Sequence, residues 1–130
     1  MARVFICFAL LSLSGAVFSE GLASSFGKAK KLSEKHENLP EAECYTNCTF
    51  LKEYEEIGSS IMRNCFKNIE DKDIKSFELV IALNQEGAVI SNWYQPETNV
   101  GSCLSKGLTN KNFSKPPFSP FYTLIEMNFG

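Results

Sequence analysis

The chain has 130 residues, a formal net charge of −2 at neutral pH and 44% hydrophobic residues. This length suits a single domain, and the slight acidic excess gives no electrostatic basis for binding phosphate backbones. The composition therefore argues against a nucleic-acid partner and for one small core.

The first residues have the pattern of a secretory signal. Arg3 provides a positive start, and residues 4–13 are apolar except for Ser12. Val17 and Ser19 then offer small side chains at the two positions that a signal peptidase reads. We expect cleavage after Ser19 and hence a periplasmic or secreted protein; an uncleaved anchor is the alternative. The apolar run is too short to predict a membrane span, so no stable membrane insertion is expected after cleavage.

Residues 20–39 form a polar, lysine-rich stretch with scattered apolar side chains and the only histidine, His36. This composition predicts a flexible leader, with a nascent helix around 28–37. The domain organisation is then a signal peptide at 1–19, the leader at 20–39, and one disulfide-stapled α+β domain at 40–130.

A long N-terminal helix of the domain is predicted from residue 40 to about residue 69. Pro40 suits a first helical turn, and the acidic residues that follow it favour the positive end of the helix dipole. A break near residues 46–49 is an alternative, with Thr49 capping a second segment. Apolar residues recur along one face at helical spacing: Leu51, Tyr54, Gly58, Ile61, Cys65 and Ile69.

A β-hairpin follows the long helix. Residues 76–83 and 88–94 are rich in strand-forming residues, and the loop between them ends in Gly87, which suits a position with positive φ. Two strands joined by so short a loop are predicted to pair in an antiparallel ribbon.

The remaining segments complete an α+β fold. Thr98 or Asn99 is predicted to cap a short helix over 100–108, residues 110–120 contain three prolines and cannot be regular, and residues 121–129 alternate as a third strand. The expected architecture is a three-stranded antiparallel sheet with the two helices on one face.

Such a sheet would leave its second face open. Exposed aromatic residues on that face, beside an unpaired strand edge, would suit contact with another protein chain. Because the alternation of residues 88–94 does not settle the side of Trp93, an ordinary core position for it is the alternative. The candidate partner-binding residues are Val80, Trp93, Tyr122 and Leu124.

Four cysteines follow the predicted cleavage site, which in a secreted chain indicates disulfides. Cys65 and Cys103 lie on the apolar faces of the two predicted helices, and helices on one face of a sheet pack together. This favours a Cys65–Cys103 bridge and leaves Cys44 to pair with Cys48, one helical turn away. The two other pairings stay open; they require the segment before Thr49 to fold back.

Few residues suggest chemistry. The Cys44-x-x-x-Cys48 pair could be redox-active, although such pairs usually have two intervening residues, and a zinc site would need more ligands than His36 can add. No catalytic triad, Cys-His pair or phosphate-binding glycine loop is recognisable, so neither an enzyme nor a cofactor is predicted. Asn47 and Asn112 begin glycosylation sequons, which matter only in a eukaryotic-type secretory pathway.

The hairpin and the segments after it resemble the C-terminal domains of TonB-like proteins. The similarity covers about residues 76–129. It lies in three motifs: a hydrophobic strand followed by a turn with an acidic residue, Gly, a further residue and Val; a segment with Phe shortly before prolines; and a last strand that ends in Phe. These are Phe77-Glu78-Leu79-Val80-Ile81-Ala82-Leu83, Gln85-Glu86-Gly87-Ala88-Val89, Asn112-Phe113-Ser114-Lys115-Pro116-Pro117 and Leu124-Ile125-Glu126-Met127-Asn128-Phe129. The resemblance implies a periplasmic αββαβ module that binds partner proteins, in TonB itself by pairing a sheet edge with a peptide.

The chain also departs from that family. It lacks the long Pro-rich spacer and the Tyr-Pro start of the first helix, it adds four cysteines, and its anchor is predicted to be removed. Force cannot be transmitted without an anchor. We therefore predict a small secreted or periplasmic TonB-like protein-interaction module without an energy-transducing anchor; the alternative is a thiol-redox protein using Cys44 and Cys48.

Overall fold

The computed structural model describes residues 22–129, so the predicted signal peptide at 1–19 lies outside the described residues. The described part contains α-helices, two short helical turns of other types and three strands. In chain order these are α1 (Phe26–Glu37), α2 (Pro40–Cys44), a π-helical turn (Tyr45–Phe50), α3 (Leu51–Phe66), a 3-10 turn (Asp71–Asp73), β1 (Phe77–Leu83), β2 (Val89–Gln95), α4 (Asn99–Leu108) and β3 (Phe121–Met127).

The three strands form one antiparallel sheet with β1 in the centre, in the order β2-β1-β3. Side chains of β1 alternate between the two faces, with Leu79 and Ile81 in the larger core and Val80 and Ala82 in a second, smaller cluster. The predicted α+β fold and its three-stranded antiparallel sheet are confirmed.

The hairpin turn between β1 and β2 has the predicted glycine geometry. Gly87 has φ of +90°, and a Cβ atom at this position would collide with the carbonyl oxygen of Phe113. The side-chain oxygen of Asn84 accepts hydrogen bonds from the N–H groups of Glu86 and Ala88, at 3.0 and 2.9 Å. The turn is therefore fixed both by its own side chain and by the Pro-rich segment that passes beside it.

The predicted long helix is interrupted by the π turn between α2 and α3. The interruption is marked by a hydrogen bond from the N–H of Leu51 to the carbonyl of Thr46, five residues earlier. Phe50, at the end of this turn, is fully buried, whereas Leu51 is 39% exposed. The alternative of a break capped by Thr49 is not observed, since the π turn leads directly into α3, which has no side-chain cap. The placement of Leu51 on the buried face is wrong, because Phe50 fills that core position.

Helices α3 and α4 pack on the same face of the sheet, as predicted. Thr98 caps α4 by accepting a hydrogen bond from the N–H of Gly101 at 2.9 Å. The Cys65–Cys103 bridge joins the two helices, with Cα atoms 5.9 Å apart and a sequence separation of 38 residues. Closing a loop of this size stabilises the fold by about 4 kcal/mol in the chain-entropy model.

The leader prediction is wrong for the residues that the structure describes, because α1 is an ordered helix packed on the second face of the sheet. Ser25 caps it by accepting a hydrogen bond from the N–H of Lys28. Ala29 and Ser33, four residues apart, are fully buried against the strands. The sheet is therefore covered on both faces, by α3 and α4 on one and by α1 on the other.

Candidate protein-interaction surface

The four predicted partner-binding residues lie together on the second face of the sheet, as the alternation of the strands requires. However, α1 covers them. Val80 and Tyr122 are fully buried, and Trp93 and Leu124 are half-buried, with the rings of Trp93 and Tyr122 stacked at a centroid distance of 5.7 Å. The expectation of an open apolar face is therefore wrong, and any contact surface must lie elsewhere.

Polar contacts at both ends of α1 hold it to the sheet. Before the helix, the N–H of Ala23 donates to the Tyr122 hydroxyl at 2.8 Å. Within it, the Lys30 ammonium lies 3.0 Å from the Glu78 carboxylate, and this partner raises the pKa of Lys30. The interface joins small buried side chains with specific polar contacts instead of a broad apolar stripe.

The end of α1 also closes the outer edge of β3. The outward N–H of Tyr122 donates to Nδ1 of His36 at 3.1 Å. The next outward N–H, that of Leu124, donates to the Glu37 carboxylate at 2.8 Å, and the hydroxyl of Thr123 donates to the same oxygen at 2.7 Å. Side chains of α1 thus take the place of a neighbouring strand, which is one way in which proteins protect a sheet edge.

His36 is held in an aromatic environment that favours its neutral form. Its ring contacts those of Phe118 at 4.9 Å, Phe121 at 6.0 Å and Tyr122 at 5.6 Å between centroids. Burial lowers the pKa of His36, and the neighbouring Lys35 charge lowers it further. A neutral imidazole can accept the hydrogen bond from β3, whereas a protonated one cannot.

The outer edge of β2 is built differently. The backbone N–H groups of Tyr122 and Leu124 point away from the sheet on β3, so the backbone groups of Val80 on β1 point toward β2. Val80 pairs with Trp93, and the alternation along β2 then leaves the N–H and C=O groups of Asn92 and Tyr94 pointing away from the sheet. Within residues 22–129, no hydrogen bond joins these outward groups to any partner. The edge is therefore open along the middle and end of the strand.

The side chains of β2 do not protect this edge. The strand Val89–Gln95 contains no charged residue, although charged side chains are a common means of protecting an edge strand. Ile90 is 42% exposed. The side chain of Asn92 is occupied by Ser105 of α4, whose carbonyl accepts from the Asn92 amide at 3.2 Å. The free groups at this edge are thus backbone groups, beside uncharged side chains.

The second predicted cysteine pair differs from the prediction. Cys44 and Cys48 are exposed free thiols in the structure, with sulfur atoms 2.7 Å apart, too long for a disulfide bond of about 2.0 Å. The contact with Cys44 is the main cause of a raised pKa at Cys48. The predicted Cys44–Cys48 bond is therefore not formed in the structure.

The remaining candidate residues lie at the surface. Asn47 and Asn112, the first residues of the two sequons, are both exposed. The π turn carries Asn47 outward, whereas a regular unbroken helix would bring it near the apolar face. In the described part of the chain, no three His, Cys, Asp or Glu side chains converge as metal ligands.

No protein-family model, curated protein sequence or solved structure matches this chain. The helices between residues 22 and 129 are all too short or too polar to cross a membrane. The function must therefore be inferred from the chain's own geometry, in which the contrast between the two sheet edges is the clearest feature.

Sequence reasoning missed His36 and Glu37, the residues that close the β3 edge. The available signal was positional: residues 26, 29, 33 and 36 share one face at helical spacing. After Phe26 that face contains a small residue, a hydroxyl and an imidazole, so a search for apolar periodicity finds only a weak signal.

Proposed function

We propose that this protein is a small secreted or periplasmic interaction module that binds an extended segment of another protein along the outer edge of β2. The proposed role follows the sequence resemblance of about residues 76–129 to TonB-like C-terminal domains, and it is binding without energy transduction. The observation that supports it is the pair of outward, unpartnered backbone positions at Asn92 and Tyr94 on an uncharged strand.

The physical basis is strand addition. A partner strand laid beside β2 would exchange backbone hydrogen bonds with Asn92 and Tyr94, and its side chains would point alternately to the two faces. On one face they would meet Trp93, which is only half-buried. Because β2 has no charge to pair, we expect the bound segment to be uncharged and rich in β-branched or aromatic residues.

The test isolates the backbone N–H of Asn92. The Asn92→Pro variant removes this N–H, and Asn92→Ala is the matched control, because both lose the side-chain contact to Ser105. A photo-crosslinking amino acid at Ile90 is used to capture partners from the extracellular or periplasmic fraction of the source organism. Leu51, also exposed but on α3, is the control position.

We expect crosslinks from position 90 that map to one extended segment of the partner, persist in Asn92→Ala and disappear in Asn92→Pro. A synthetic peptide of that segment should slow amide exchange at Asn92 and Tyr94. Equal crosslinking from positions 90 and 51, or unchanged capture by the proline variant, would refute binding through this edge.

A further inference from the structure

Cys44 and Cys48 form an exposed thiol pair that the proposed interaction does not use. Their sulfur atoms are 2.7 Å apart, closer than ordinary non-bonded contact, and both residues are exposed. Cys44 directly precedes the π turn Tyr45–Phe50, and Cys48 lies within it. A short rotation of either side chain would bring the sulfurs to bonding distance.

The π turn explains why two cysteines four residues apart can meet. In a regular α-helix such residues are neighbours on one face with Cβ atoms about 5–6 Å apart, whereas a disulfide needs Cβ atoms about 3.8 Å apart. The hydrogen bond from Leu51 to Thr46 spans five residues and widens the turn, which brings residues four apart more nearly into line. The local backbone is thus suited to this pair.

The Cys65–Cys103 bridge of the same protein is a natural reference. Cys65 is only 2% exposed, and its bridge closes a loop across a sequence separation of 38. A Cys44–Cys48 bond would lie at the surface within a single helical turn, whereas the Cys65–Cys103 bond joins two packed helices. Exposure adds access for a reagent, so one pair can exchange while the other stays closed.

We propose that Cys44 and Cys48 are a reversible dithiol–disulfide pair that exchanges with small disulfides and thiols in the protein's surroundings. One thiolate of the pair attacks a small disulfide RSSR, forms a mixed disulfide and releases RS⁻. The second thiol then loses its proton and attacks the protein sulfur of the mixed disulfide, which releases a second RS⁻. The protein loses two protons and two electrons as its own S–S bond forms, and RSSR gains them to become two RSH.

The pair has a defined structural neighbour. Tyr45, which follows Cys44 directly, donates from its hydroxyl to the carbonyl of Ser114 at 2.7 Å and packs edge-on against Phe121 at 5.2 Å. Closing the disulfide would fix the turn that carries Tyr45 against the Pro-rich segment. This inference is independent of the β2 edge and would stand if the proposed function failed.

The test is a redox titration of the native protein in mixtures of glutathione and glutathione disulfide. Samples are acid-quenched, free thiols are alkylated with N-ethylmaleimide, and each cysteine is assigned by peptide mass spectrometry. We expect the Cys44–Cys48 bond to open and close across these mixtures while Cys65–Cys103 stays intact. The midpoint value of [GSH]²/[GSSG] should be lower for reduction of the exposed pair than for the bridge at Cys65, which is 2% exposed.

The Cys44→Ser and Cys48→Ser variants test whether the two thiols act together. Each should accumulate one glutathione adduct on its remaining thiol, because the second step is lost, whereas the wild-type protein resolves its adduct. The proposal is overturned if wild-type Cys44 and Cys48 stay as thiols in every mixture, keep separate adducts, bond to another molecule, or open at the same midpoint as Cys65–Cys103. Circular dichroism confirms that each sample remains folded.

Discussion

The two edge strands of the sheet differ in whether their outward backbone groups are hydrogen-bonded. Along β3, His36 and Glu37 accept the outward N–H groups of Tyr122 and Leu124. Along β2, the outward groups at Asn92 and Tyr94 have no partner among residues 22–129. A sheet edge left open is an aggregation hazard that proteins usually counter. This asymmetry is the basis of the proposal that the β2 edge pairs with another chain, because α1 already occupies the outward N–H groups of β3.

The largest expected effect comes from removing α1 from the sheet. Ala29→Asp places an unpaired carboxylate in a fully buried position and should destabilise the protein by about 3 kcal/mol. Gly27→Asp, in open space on the same helix, is the matched control and should be nearly neutral. Urea denaturation gives both values. Equal, small losses in the free energy of unfolding of the two variants would mean that α1 does not cover the sheet in solution.

A smaller effect is expected from opening the β3 edge at a single residue. Glu37→Ala leaves the N–H of Leu124 and the hydroxyl of Thr123 without their acceptor and should cost about 2 kcal/mol. Glu34→Ala, on the exposed side of the same helix, controls for loss of a carboxylate. If denaturant midpoints show the two variants to be alike, the Glu37 contacts contribute nothing to the closed edge.

The closed edge should also weaken on acidification. The pKa of His36 is lowered in the folded protein from an ordinary value of 6.5, so the unfolded chain binds a proton more readily. The stability that depends on neutral His36 is therefore complete above pH 6.5 and is lost as the pH falls through that value toward the lower folded pKa. As the only histidine, His36 can be followed directly by NMR. The His36→Gln variant should lose this part of the pH dependence; an unchanged pH profile would contradict the assignment.

The smallest effect is expected at the open edge. The Asn92→Pro and Asn92→Ala variants should differ in stability by less than about 1 kcal/mol, because the outward N–H of Asn92 has no partner to lose. At Leu124, the proline variant loses the hydrogen bond from its N–H to Glu37 and should be about 2 kcal/mol less stable than the Leu124→Ala variant. Thermal or urea unfolding of the four variants gives both differences. Similar differences at the two sites would show that the edges are equivalent.

Much of the fold could be predicted because its signals are local. The strands follow from runs of β-branched and aromatic residues, Gly87 marks the turn, and the apolar faces of two helices bring Cys65 and Cys103 together. The position of β1 in the middle of the sheet is a tertiary property, but its nearly continuous apolar sequence is consistent with burial on both faces.

The features that sequence reasoning missed are those without an apolar signature. Helix α1 buries Ala29 and Ser33, whose small side chains permit close approach but add little hydrophobic contrast, so its polar composition resembles that of a mobile leader. With the wider π turn, Phe50 fills the core position that was expected for Leu51. Because α1 covers the second sheet face, the candidate contact surface lies at the β2 edge, and of the four predicted residues only Trp93 belongs to that strand.

Residue-resolved amide hydrogen exchange on the free protein tests the contrast between the edges most directly. The account predicts that the amides of Tyr122 and Leu124 exchange at least about tenfold more slowly than those of Asn92 and Tyr94. Slow exchange at Asn92 and Tyr94, equal to that on β3, would contradict it.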